Sequence, residues 1–143
     1  AQSTLGSFSS RVSLHEGYVE TASPGPFDAA TCLLTLHFVP LEARRRMLAE
    51  IRQRLRPGAP FVLAHLSFPQ APEERDTWLC RYAAFVASSG IDPAKARAAA
   101  EAVGARLSIL CPSQDESMLY DAGFSSVQLF YAGFAFRGWV AYA

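Results

Sequence analysis

No apolar run in this sequence approaches the ~20 residues that a membrane-spanning helix needs. The longest stretches, Cys32 to Leu36 and Pro60 to Leu66, are strand-sized, so no membrane association is expected. The N-terminus, AQSTLGSFSS, carries no basic segment followed by an apolar one, and a secretory signal is not expected either. Cysteine is scarce: Cys32, Cys80 and Cys111 are an odd number without C-x-x-C spacing, which predicts reduced thiols in a cytoplasmic protein. Three histidines and three cysteines without ligand spacing predict no metal site, and no G-x-S-x-G elbow is present. Charge of one sign does not dominate. The 13 basic and 13 acidic residues balance, which argues against a nucleic-acid binder held by bulk charge. Glycine is present nine times but never as G-x-G.

What is present suits one globular domain. Half of the 143 residues are hydrophobic, enough for a sizeable core. Residues 1 to 10 are small and polar, the tail of a helix or a frayed end. Arg11 to Tyr18 alternates Val12 and Leu14 with Arg11, Ser13 and His15, which predicts a short strand. The TASPGP segment from Thr21 to Pro26 is a loop. FDAATCLLTLHF, from Phe27 to Phe38, has no charge after Asp28 and reads as a strand buried on both faces. Pro40 opens a helix whose face repeats Leu41, Arg44, Leu48, Ile51 and Leu55, all apolar but Arg44, before Pro57 and Gly58 stop it. Pro60 to Ser67 is a second buried strand. A strand, a helix and a strand in this order predict a right-handed parallel crossover.

Pro72 to Val86 reads as an amphipathic helix ended by Gly90. Asp92 and Pro93 cap and open an alanine-rich helix running to about Gly104. Ser113-x-x-Glu116 is a capping-box pattern for a short helix over 114 to 122, stopped at Gly123. Val127 to Ala132 and Phe134 to Tyr142 predict a closing antiparallel hairpin. The fold class is α/β, crossover units first and a β-hairpin last.

Three of these stretches carry a family likeness. FDAATCLLTLHFVP (Phe27 to Pro40) resembles the fourth strand of class I S-adenosylmethionine-dependent methyltransferases. LAEIRQRLRPGAPFVLAHLS (Leu48 to Ser67) resembles their next helix, PGG turn and fifth strand, with PGA here. LYDAGFSSVQLFYAGFAFRGWVAYA (Leu119 to Ala143) is similar to the family's AGF helix end and strands six and seven. The chain is therefore identified with the C-terminal two-thirds of a Rossmann-like class I methyltransferase sheet, with 72 to 110 as a helical insert or lid. Within the family it looks most like the enzyme that makes carboxy-S-adenosylmethionine. The arginine that enzyme uses for the extra carboxylate falls near Ala100, so plain methyl transfer is expected instead.

The resemblance also says what is missing. The family's first strand, G-x-G-x-G loop and second strand have no counterpart, and the glycines of that loop let backbone approach the cofactor closely. In the family order 3-2-1-4-5-7-6, their removal is expected to open a hole in the middle of the sheet and leave costly unpaired backbone groups, ~1–3 kcal/mol each. A longer parent, a swapped dimer or a homodimer is expected to close it.

By resemblance, Gly17, Tyr18 and Val19 would contact the adenine of S-adenosyl-L-methionine, and Leu33 and Leu34 its methionine part. An ordinary strand-end turn and core packing are the alternative readings. His37 would orient the acceptor or take its proton, or be a structural histidine at a strand end. His65, with Trp78 and Tyr82 from the helical insert, would line the acceptor pocket. The acceptor would be a small molecule or tRNA-related. The six arginines between Arg44 and Arg56 read as the wet outer face of a helix, balanced by Glu42 and Glu50. The aromatics Trp78, Tyr82, Phe85, Phe130, Tyr131, Phe134, Phe136 and Trp139 read mostly as core. A second reading is a non-catalytic dimerisation or binding module.

Overall fold

The computed structural model describes residues 4 and 6–143. The sequence reading of residues 1 to 10 falls partly outside them; within them, Gly6–Arg11 is a 3-10 helix. Eight strands and α-helices follow, here named β1 (Ala30–Leu33), α1 (Leu41–Gln53), β2 (Pro60–Leu66), α2 (Pro72–Ser88), α3 (Pro93–Arg106), α4 (Pro112–Asp121), β3 (Ser125–Gly133) and β4 (Phe136–Tyr142).

The sheet order is β1-β2-β4-β3. β1 runs parallel to β2, with Ala30 opposite Phe61 and Leu33 opposite Ala64. β4 is antiparallel to both β2 and β3. This is the 4-5-7-6 order that the resemblance assigns. The β1–α1–β2 crossover forms because α1 presents Leu48 and Ile51 on one stripe, and they bury against Phe61 and Leu63 of β2 with Trp139 and Ala141 of β4. Met118 and Leu119 of α4 join the same core. A second, smaller core gathers Leu66, Phe68, Ile109 and Ala135, roofed by Trp78, Leu79 and Tyr82 of α2.

Cover is one-sided. Along β2, Phe61, Leu63 and His65 are buried, while Val62 and Ala64 between them are half-buried. β3 has no buried residue, and Leu129, Phe130 and Tyr131 are exposed on it. Of the eight aromatics read as mostly core, only Trp139 is fully enclosed. The sequence shows an apolar residue but not whether any layer lies over it.

Several local expectations change. Arg11 to Tyr18 is not a strand; the chain there is irregular and leads into a 3-10 turn over Val19–Thr21. A strand persists only when a neighbour takes its backbone hydrogen bonds, and none among the described residues does. The expected hole in the sheet therefore does not arise: the sheet ends at β1. Of Phe27 to Phe38 only Ala30–Leu33 is strand, and Leu36–Phe38 is a 3-10 turn. α3 continues through Gly104 to Arg106. α4 starts earlier than expected, at Pro112, with Cys111 N–H donating to Gln114 Oε1 at 3.1 Å, so the reciprocal cap sits two residues before the Ser113 pattern.

Candidate functional site at the sheet end

In an open α/β sheet, ligands bind beyond the C-terminal ends of the parallel strands. Here that end follows Leu33 in β1 and Leu66 in β2. Leu34 N–H still donates to Ala64 O at 2.7 Å, and then the chain leaves the sheet through a left-handed residue, Leu34 itself, at φ 55°. A non-glycine residue held there costs ~1–2 kcal/mol. Thr35 Oγ1 donates to Leu33 O at 3.0 Å and secures the turn. Leu33 and Leu34 consequently point outward, 55% and 57% exposed.

A cavity of about 770 Å³ opens beside this turn. One wall is the 35–40 segment, through Thr35, Phe38, Val39 and Pro40; another is Gly17, Tyr18 and Val19; Ala43, Arg46 and Met47 of α1 form the floor. The three residues expected at the adenine thus lie together, although the strand expected to carry them is absent. A turn holds them instead: Thr21 N–H and Oγ1 both donate to Tyr18 O, at 3.1 and 3.0 Å. His15 Nε2 and Thr21 Oγ1 meet at 2.9 Å, and a Cβ on Gly17 would lie within 2.8 Å of both side chains, so a larger residue would push them apart. Tyr18 stands 82% exposed. Glu20 pairs with Arg46 at 3.4 Å across the lining. A second cavity of about 340 Å³ shares Val19, Thr35 and Met47 with the first and reaches Leu33 and Cys32. Leu34 lines neither.

His37 stands behind the wall, buried, and lines neither cavity. Its Nδ1 accepts the Leu66 N–H at 3.3 Å. A neutral ring that accepts at Nδ1 carries its proton on Nε2. Burial, reinforced by Arg44, lowers the His37 pKa to about 4, so the ring is neutral at pH 7. With Nδ1 engaged by Leu66, the neutral ring presents an Nε2–H donor.

Arg44 is the residue that sequence reasoning set on the wrong side. It was grouped with a solvated arginine face, but it is wholly buried. Its Nε donates to Val39 O at 2.8 Å and its Nη2 to Ser108 O at 2.5 Å. The signal was present in the pattern, since Arg44 occupies the apolar stripe with Leu48 and Ile51. Asp115 was missed altogether. It is buried on α4, with Oδ1 3.5 Å from His65 Nε2. Burial raises its carboxyl to about 7, against the pull of Ser67 and Arg44. His65 is fully enclosed, and burial, Arg44 and His37 together lower it to about 3. It lies in the core between His37 and Trp139, with ring centroids 6.2 and 5.7 Å away, and not in either cavity. Trp78 and Tyr82 are half-buried on α2, near Phe68 and Phe136 respectively.

The lining fits the nucleoside half of S-adenosylmethionine: apolar walls from Val19, Phe38 and Met47, with the polar Thr21 and Thr35 among them. It provides no glycine cradle for the methionine half.

No family model matches the chain, and no curated protein matches it in sequence. Solved structures do match. N,N-8-amino-8-demethyl-D-riboflavin dimethyltransferase (RosA) from Streptomyces davawensis superposes with a TM-score of 0.68 over 100% of this chain and 38% of its own, at 18% identity. The pyocyanin biosynthetic protein PhzM gives 0.69 over 99% and 38%, at 18% identity. Human N-acetylserotonin methyltransferase, solved in complex with S-adenosylmethionine, gives 0.59 over 90% and 32%, at 13% identity. The chain has the fold of the C-terminal part of a methyltransferase and spans about a third to two-fifths of the length of these three proteins.

Proposed function

We propose that this chain is the acceptor-side portion of an S-adenosylmethionine-dependent methyltransferase acting on a small-molecule or tRNA-related acceptor, in a cytoplasmic setting. The cavity that joins Gly17, Tyr18 and Val19 to the segment after β1 carries this reading. It lies at the ligand end of a 4-5-7-6 sheet, where the fold would bring a nucleoside. The methionine half of the cofactor needs a strand and glycine-rich loop against the free edge of β1, which further chain beyond these residues would have to supply. His37 and Arg44 hold the cavity wall, and the bound cofactor would supply an electrophilic methyl group. The carboxylated cofactor is not part of this proposal, because by the resemblance the arginine that it needs falls near Ala100.

Calorimetric titration with S-adenosylmethionine and S-adenosylhomocysteine tests it. Saturable micromolar binding is expected for a form in which β1 is paired. Absence of binding to every folded form, alone, dimeric or extended, would sink the reading.

A non-catalytic dimerisation module is the second reading, favoured by the unpaired β1 edge and the lack of any G-x-G. A stable homodimer that binds neither nucleotide would establish it.

A further inference from the structure

The ligand end of the sheet continues past β2 to the start of β4, because β4 runs antiparallel: His65 lies opposite Arg137, and Leu66 opposite Phe136. Arg137 thus lies two strand spacings, roughly 10 Å, across the sheet end from β1, about the length of a small aromatic molecule. Its Nη1 donates to Phe134 O at 2.7 Å and Phe136 O at 2.8 Å. Among the described residues no protein acceptor takes its Nε or Nη2, the donor pair on the side of the guanidinium that suits a planar carboxylate. The Arg137 guanidinium carbon stands 5.0 Å from the Trp78 ring centroid, and that of Arg81 stands 4.7 Å from the same centroid. Two guanidiniums therefore share one indole. Ion pairs among the described residues engage Arg46, Arg54, Arg56 and His65, and neither Arg81 nor Arg137 has an acidic partner. Next to them in the chain stand Tyr82 and Phe136, whose rings lie 6.3 Å apart. Two guanidiniums stacked on one indole, with no acidic partner among the described residues, leave positive charge that favours an anion, and the aromatic side chains adjoining them in the chain favour a ring attached to it.

We propose that Arg137 and Arg81, gathered on Trp78, form a carboxylate-binding subsite for an aromatic acid. Calling that acid the methyl acceptor rests on the methyltransferase reading; the subsite itself rests on the side-chain arrangement. Arg137 supplies the bidentate contact, Arg81 the second charge, and Tyr82 and Phe136 the apolar wall. Nothing in the subsite requires the glycine loop, so it is present in this chain as it stands.

Tryptophan fluorescence reads it directly, because Trp78 is half-exposed while Trp139 is enclosed and bonded to Glu116. Benzoate added at constant ionic strength should change the emission saturably; phenol and inorganic phosphate should not. Arg137→Gln should weaken benzoate at least tenfold and Arg81→Gln severalfold, with circular dichroism unchanged and both variants still folding cooperatively. Arg137→Lys should recover only part of the loss, and Trp78→Phe should remove the signal but keep calorimetric binding. An equal response to phenol, a stronger one to phosphate, full benzoate affinity in Arg137→Gln, or no saturable response in the folded wild-type chain would each overturn the subsite. A parallel S-adenosylhomocysteine titration separates the two ideas: benzoate binding without nucleotide binding keeps the subsite and removes the methyltransferase assignment.

Discussion

Arg44 Nε donates to the carbonyl of Val39 at 2.8 Å, so the one charged residue on the apolar stripe of α1 holds the wall of the 770 Å³ cavity from inside the core. Asp115 is the Coulombic counter-charge to Arg44 once ionised, and burial raises its carboxyl to about 7, so the two are a charged pair only above neutral pH. Removing one member of a buried charged pair is costly because the other is left uncompensated, ~3–5 kcal/mol. At pH 8 Asp115→Leu should therefore lower stability by up to about that amount in urea denaturation, and by less at pH 6. The double variant Arg44→Met with Asp115→Leu should be more stable than Asp115→Leu alone. A double variant that is worse than the single one would show that the pair is not coupled.

Stability should depend on pH in a way these buried groups dictate. His37 and His65 are lowered from 6.5 to about 4 and about 3, and Asp115 is raised from 3.8 to about 7. Between about pH 4 and 6.5 the unfolded chain holds protons on both histidines that the folded chain lacks. The folded chain holds one on Asp115 that the unfolded chain lacks. Two minus one leaves the unfolded state with the extra proton, so stability rises with pH by ~1.4 kcal/mol per unit. Asp115→Asn should roughly double that slope, and His65→Gln should bring it close to zero. Urea midpoints at pH 4.5 and 6.0 measure it; a slope of the opposite sign would contradict the burial of the histidines.

Leu34 holds a left-handed conformation with its side chain 57% exposed, so it gives up backbone energy for little burial. Leu34→Asn should raise stability by ~1 kcal/mol, since asparagine visits that region readily. Thermal unfolding would show a midpoint higher by a few degrees; a lower one would mean that Leu34 packs in a way its exposure hides.

Gly25 combines φ 84° with a tight approach: a Cβ there would lie 2.5 Å from Arg54 O. That carbonyl accepts the Phe27 N–H at 2.8 Å, the link that ties the start of the β1 segment to the end of α1. Gly25→Ala should cost ~1–3 kcal/mol and increase amide exchange at Phe27 and Arg56. Unchanged exchange at both would show that the link survives.

Ala43 lies on the floor of the 770 Å³ cavity. Ala43→Trp should obstruct it and weaken any S-adenosylhomocysteine binding at least tenfold, while benzoate binding stays as in the unsubstituted chain. Nucleotide affinity unaffected by the added indole would place the nucleotide elsewhere.

The candidate site was legible in the sequence to different depths. Gly17 to Val19 come together at one cavity because their position depends on a short turn closed by His15 and Thr21, a local matter, although the strand expected to carry them is absent. Arg44 was misread because a run of arginines looks alike residue by residue; only its place on the stripe with Leu48 and Ile51 distinguished it. Arg137 drew no notice, since its meaning comes from Trp78, far away in the chain.

The sequence by itself determined the α1 stripe, the proline and glycine stops, the buried β2 run and the closing hairpin. Each rests on periodicity or backbone preference within a few residues. Tertiary structure alone decided whether an apolar residue is covered, whether an alternating segment such as Arg11 to Tyr18 finds a partner strand, and which charges share an interior. Those outcomes depend on neighbours that arrive from elsewhere in the chain: a hydrogen-bond ladder needs a second strand, and a buried charge needs its counter-charge within a few ångströms.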